Sequence, residues 1–164
     1  MGIRFTADEI LAIAEKIEAN GIAFYAAAAE KVSAGNLADL LRKLSHWESA
    51  HAKIFAAMRK ELTEKEKEPV TYDPDNEAGL YLQAVADGTV FKLEEDPGKI
   101  MGANPTPESI INIALGREKD SVVYYTGVKQ IVPASLGQER IEEIINEELG
   151  HIRQLNNTLL QLQQ

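Results

Sequence analysis

An all-α fold, a four-helix bundle with one long crossover connection, is what the 164-residue sequence predicts, and three observations carry the prediction. Apolar residues recur at alternating steps of three and four through four long stretches, which is the pattern of helices with one buried face. Turn-forming residues crowd the middle of the chain. The chemistry-bearing residues of the first half return at a fixed spacing in the second. With 45% hydrophobic and 26% charged residues, a chain of this length can bury a core as one domain over residues 1–164 without covalent staples.

The first helix is expected over about 7–34. Thr6 followed by Ala7-Asp8-Glu9 forms a capping box, and Gly35 is placed to end the helix in the left-handed conformation. Asn36 is the expected cap of the second helix, over about 37–66, which runs into the charged stretch 61–68 and stops at Pro69. A crossover follows over about 67–105, marked by Asp73-Pro74, Asp87-Gly88, Asp96-Pro97-Gly98 and Asn104-Pro105. Residues 77–86 read as a short helix within it, and Leu80, Leu82, Val85, Val90 and Phe91 are expected to pack on the bundle. A connection this long lets the chain pass from one end of a bundle to the other. The third helix, about 107–132, starts after Thr106 with Pro107 at its favoured first position and ends before Pro133. Ser135 with Gln138 makes a capping box for the fourth, about 136–162.

Charge and composition narrow the function. Lys and Arg number 17 against 26 Asp and Glu, a net charge of −9, which argues against nucleic acid or an anionic membrane as partner. The absence of cysteine excludes disulfides, thiolate catalysis and Cys-ligated zinc or iron–sulfur clusters within this chain. No apolar run approaches the ~20 residues of a membrane span, and the missing export signal leads to the expectation of a cytoplasmic protein. Met1-Gly2-Ile3-Arg4-Phe5-Thr6 fits the loose myristoylation pattern, but the capping role of Thr6 is the stronger reading.

Each helical seam carries a carboxylate near its middle. The first reads Leu11, Ala14, Glu18, Gly21, Tyr25, Ala28, Val32, and the second Leu37, Leu41, Leu44, Glu48, His51, Phe55, Met58, Leu62. The third reads Ile111, Ala114, Glu118, Ser121, Tyr125, Val128, Val132, and the fourth Ile141, Ile144, Glu148, His151, Leu155, Thr158, Leu162. Glu18 and Glu118, Tyr25 and Tyr125, Glu48 and Glu148, and His51 and His151 are each separated by 100 residues. The halves are thus one helical hairpin used twice about a pseudo-twofold axis. Four carboxylates in an apolar core repel unless cations compensate them. Two divalent ions balance four Glu with both imidazoles neutral. Residues three apart share a helix face, so Glu48 with His51, and Glu148 with His151, each address one cavity. Mixed oxygen and imidazole donors suit iron or manganese, with zinc a competitor.

One Glu from each of two helices plus Glu-x-x-His from the other two is the ligand set of ferritin-like di-iron carboxylate bundles. The chain resembles that superfamily over its four long helices, and the 20–25 and 118–125 segments look like rubrerythrin-type domains. The resemblance implies two iron ions bridged by Glu48 and Glu148. Glu18 and His51 would complete one ion, Glu118 and His151 the other, and Tyr25 and Tyr125 would hold ligands in place. It further implies reduction of hydrogen peroxide or dioxygen, a separate electron-donor protein, and a homodimer or higher homo-oligomer. The chain departs from full rubrerythrins in three respects. It has no four-Cys rubredoxin site, Ser121 stands where a further Glu is usual, and His151 stands where Glu is usual. The two-His pattern is closer to the ferroxidase site of bacterioferritin, so iron handling is one alternative and a metal-stabilised binding module another. His46 is expected at the surface, and Trp47 in packing or a subunit contact. Phe24 and Tyr124 are expected in core or dimer packing, and Glu147 in solvent, about 100° round the helix from Glu148.

Overall fold

The computed structural model describes residues 6–64, 96–132 and 134–164. Among these the chain is all-α. Its helices are α1 (Ala7–Lys31), α2 (Asn36–Glu61), α3 (Pro97–Met101), α4 (Pro107–Ile131) and α5 (Gln138–Leu162), with one 3-10 turn, Ala134–Leu136, before α5.

The side-chain-capped starts of α1 and α4 fall where the sequence places them. The Thr6 hydroxyl accepts from Glu9 N while the Glu9 carboxylate accepts from Thr6 N, which satisfies two otherwise orphaned donors. Thr106 and Ser109 make the same reciprocal pair ahead of α4, with Pro107 at the first position. The other boundaries differ from expectation. Val32, in extended backbone, ends α1. Gly35 takes φ 146 and serves as the N-cap of α2, so Asn36 is the first residue of that helix rather than its cap. Helix α2 ends at Glu61 rather than running on towards Pro69. Helix α5 begins after Gly137, left-handed at φ 89, rather than at a Ser135–Gln138 capping box; the Gln138 amide donates to Val132 O instead. Asp96-Pro97-Gly98, read as a turn, opens α3, where the Asp96 carboxylate accepts from Gly98 N and Lys99 N. The short helix expected over 77–86 and the apolar residues from Leu80 to Phe91 lie outside the described residues, as do Met1–Phe5.

Helix α1 packs along α2, and α4 along α5; the two hairpins meet through α1 with α4 and α2 with α5. Pairing is antiparallel across both of these seams. Tyr25 meets Glu118 while Tyr125 meets Glu18, and His51 meets Glu147 while Trp47 meets His151. Helices α2 and α4 therefore run in the same direction, and the chain must regain the far end of the bundle between them. At 1.5 Å per residue, 25 helical residues make that about 37 Å.

The core is two apolar layers. One joins Ile10, Leu11, Phe55, Met58, Tyr124, Val128 and Ile141. The other joins Phe24, Leu41, Leu44, Ile110, Ile111 and Leu155, with Met101 of α3 closing its end. Between them lies a polar layer. Among the described residues, no helix is long and apolar enough to cross a membrane.

Candidate metal centre

Glu18 of α1, Glu48 and His51 of α2, Glu118 of α4, and Glu148 and His151 of α5 make up that polar layer, and all six are buried. The seam periodicity puts one carboxylate from each helix at a common level, and the i, i+3 spacing adds one imidazole from each of α2 and α5. Glu148 stands between the two histidines. Its Oε1 is 3.0 Å from His51 Nδ1, and its Oε2 is 3.0 Å from His151 Nδ1. Glu18 Oε2 lies 3.7 Å from His51 Nδ1, and Glu118 Oε2 lies 3.3 Å from His151 Nδ1. The ligand-capable atoms form two groups, Glu18–Glu48–His51–Glu148 and Glu48–Glu118–Glu148–His151, each within 4.8 Å. Glu48 and Glu148 belong to both.

The tyrosines act across the halves. Tyr25 donates its phenol hydrogen to Glu118 Oε1, and Tyr125 donates to Glu18 Oε1, so each hairpin orients a carboxylate of the other. Burial raises both phenols well above their usual range, and the neighbouring carboxylate charges reinforce this, so both remain protonated donors. Gly21 gives Glu48 its room. A Cβ there would sit 3.0 Å from Glu48 Cδ and 3.1 Å from its Oε2.

The electrostatics of the cluster by itself are those of too many carboxylates. Burial raises Glu48 well above the carboxylate range, and the charges of Glu18, Glu148 and Glu118 add to it. Burial also pushes Glu118 up to about 8, with Glu148 adding and His151 opposing. Burial works upward on Glu148 too, yet its contacts with Glu118, His151 and His51 hold it well below the ordinary value. Desolvation pulls both imidazoles down, but the carboxylates outweigh it, pushing His51 up to about 11 and His151 to about 9. Even so, Glu18 Oε2, His51 Nδ1 and Glu148 Oε1 are buried without an aligned hydrogen bond. The 3.0 Å contact between the last two is a close approach of groups facing a common point. Buried polar atoms of this kind ordinarily have a partner, and a cation between them supplies it. The donor set fits a pair of divalent ions in number, charge and chemistry.

Sequence reasoning did not connect the two residues flanking the cluster, Trp47 and Glu147, with its histidines. Glu147 is 57% exposed, as expected of a solvated side chain, yet its Oε2 reaches 2.8 Å from His51 Nε2. Trp47, expected in packing or a subunit contact, is half-buried and stacks on the His151 ring with centroids 4.8 Å apart. The 100-residue repeat was the available signal, since positions 47 and 147 precede the two Glu-x-x-His motifs in the same register. His46 is exposed, as expected. Phe24 and Tyr124 are core residues; the Tyr124 phenol donates to Ile10 O, and Arg117 lies 5.0 Å over the Phe24 ring.

The sequence matches the rubrerythrin family over residues 9–159. No curated protein matches it. Among solved structures, a protein from Thermotoga maritima described as a ferritin-like diiron-carboxylate protein superposes with a TM-score of 0.68. The match covers 97% of each chain at 23% identity, a likeness of fold.

Proposed function

The chain belongs to the rubrerythrin family, and from that premise we propose that it is a non-haem di-iron redox protein that reduces hydrogen peroxide or dioxygen, with electrons supplied by a separate donor protein. One observation carries the reading: two groups of buried ligands share Glu48 and Glu148, the arrangement that holds two ions side by side. Glu18 and His51 would complete one position, Glu118 and His151 the other. When bound, a ferrous pair supplies two electrons and Lewis acidity, enough to take hydrogen peroxide and two protons to two waters.

The chain's own residues do the rest. Tyr25 and Tyr125 keep their protons and fix the free rotation of Glu118 and Glu18. Glu148 spans the space between the imidazoles, and the apolar layers above and below exclude bulk water, which strengthens every electrostatic contact at the cluster.

Anaerobic titration of metal-free protein with Fe(II) tests this. Two tight sites per chain are expected, both lost in the double variant Glu48→Ala, Glu148→Ala. The loaded protein should then be oxidised faster by peroxide or dioxygen than free Fe(II) is. Metal binding untouched by the double substitution would remove the basis of the proposal, and turnover of many irons per chain would move the assignment to a ferroxidase.

A further inference from the structure

The halves of the centre match in their six ligand candidates and differ just behind them. The residue preceding each Glu-x-x-His reaches across to the histidine of the other half. In one half it is Glu147, whose Oε2 lies 2.8 Å from His51 Nε2; in the other it is Trp47, whose indole stacks on His151 at an interplanar angle of 15°. An ionised carboxylate only accepts hydrogen bonds, so the Nε2 of His51 carries a hydrogen and its Nδ1 is the atom turned towards Glu18 and Glu148. An indole has one N–H and no acceptor, so Trp47 cannot do the same for His151. A carboxylate behind a ligating imidazole fixes the ring's orientation and makes the far nitrogen a stronger donor.

We propose that this difference makes the two metal positions unequal: the Glu18–His51 position binds a divalent cation more tightly and fills first, with Glu147 as its positioning residue, and the Glu118–His151 position fills second. The inference rests on the two-metal reading above. The asymmetry is built into the chain, because among the described residues the contrast at the two histidines is a carboxylate against one and an indole against the other. For a redox pair, it means that the two ions sit in unlike surroundings and are gained and lost in order.

The protein carries its own reporters. Trp47 is the sole tryptophan and touches only one of the two metal-facing rings, and the chain has three histidines, of which His46 is exposed. Metal-free protein titrated with Zn(II) is followed through the ring 15N signals of its histidines and the emission of Trp47. The His51 signals should change over the first equivalent, and the His151 signals with Trp47 emission over the second. Glu147→Ala should weaken the first step about tenfold or more and erase the order. Glu147→Gln, which keeps an acceptor without its charge, should restore part of the loss. Glu147 is itself exposed, so neither change opens a cavity in the apolar layers, and Glu147→Gln keeps an acceptor for the buried His51 Nε2. If His51 and His151 respond in step from the first addition to the native protein, or if Glu147→Ala leaves the first step unchanged, the inference is overturned. Zn(II) that fails to bind the native protein at all overturns the two-metal reading, and this inference with it.

Discussion

Glycine in the interior of α1 costs about 1 kcal/mol relative to alanine, so Gly21 needs a reason. The reason is Glu48, whose carboxyl group fills the space a Cβ would take. Gly21→Ala must push that carboxyl aside by a few tenths of an ångström. The metal-free protein should melt within a few degrees of the native, because gained helix propensity offsets the crowding. Metal affinity, measured by the same titration, should fall by about tenfold, in the range seen when a ligand's support is disturbed. Tyr125→Phe removes the donor to a fully buried carboxylate and is expected to destabilise the metal-free protein by about 1–3 kcal/mol in urea denaturation. At this scale the sequence was most legible where a residue lies on a seam. Six ligand candidates and two tyrosines stand out because a polar group interrupting an apolar stripe at matched positions is hard to produce by chance. Glu147 was not legible, because a helical wheel gives the direction of Cβ and not the reach of a long side chain to a neighbouring helix.

The same contrast runs through the helices. Thr6 and Thr106 are caps that act through their side chains, and both could be read from residue identity. Gly35 and Gly137 act through backbone conformation, and the sequence does not say which neighbouring helix such a glycine will serve. Gly35 could be assigned to the end of α1 as readily as to the start of α2, and the fold chose the second. Thr106→Ala should cost about 1 kcal/mol of stability by loss of the cap. Gly137→Ala should cost at least as much, because at φ 89 any Cβ strains the backbone and this one would also meet the Arg140 side chain at 3.3 Å. Chemical denaturation of the two variants beside the native protein checks both. Arg59 adds a tie between elements, joining α2 to Asp8 and Glu15 of α1 at 3.0 Å each.

For the molecule as a whole, the charged layer sets how stability follows pH. His51 at about 11, His151 at about 9, Glu118 at about 8 and the raised Glu48 all favour their protonated forms when folded. Stability from such groups is complete below their unfolded values, 6.5 for His and 4.5 for Glu, and is lost as pH rises through the folded ones. Glu148 acts in the opposite sense, but only below about its unfolded value of 4.5. The Tm of the metal-free protein should therefore fall steadily from pH 5 to pH 9. Metal binding must displace those protons, so affinity should rise over the same range, and the melting curves of metal-free and metal-loaded protein should diverge. A metal-free Tm that climbs with pH would contradict the electrostatics described above. The crossed phenols have a consequence of another kind. Each hairpin keeps the hydrogen-bond donor that the other hairpin's buried carboxylate requires. A bundle with one hairpin loosened would leave Glu18 or Glu118 stranded in the half still packed, and that penalty falls on every partly opened state alike. Neither half is expected to be stable alone, and heat should take the protein from folded to unfolded in one step.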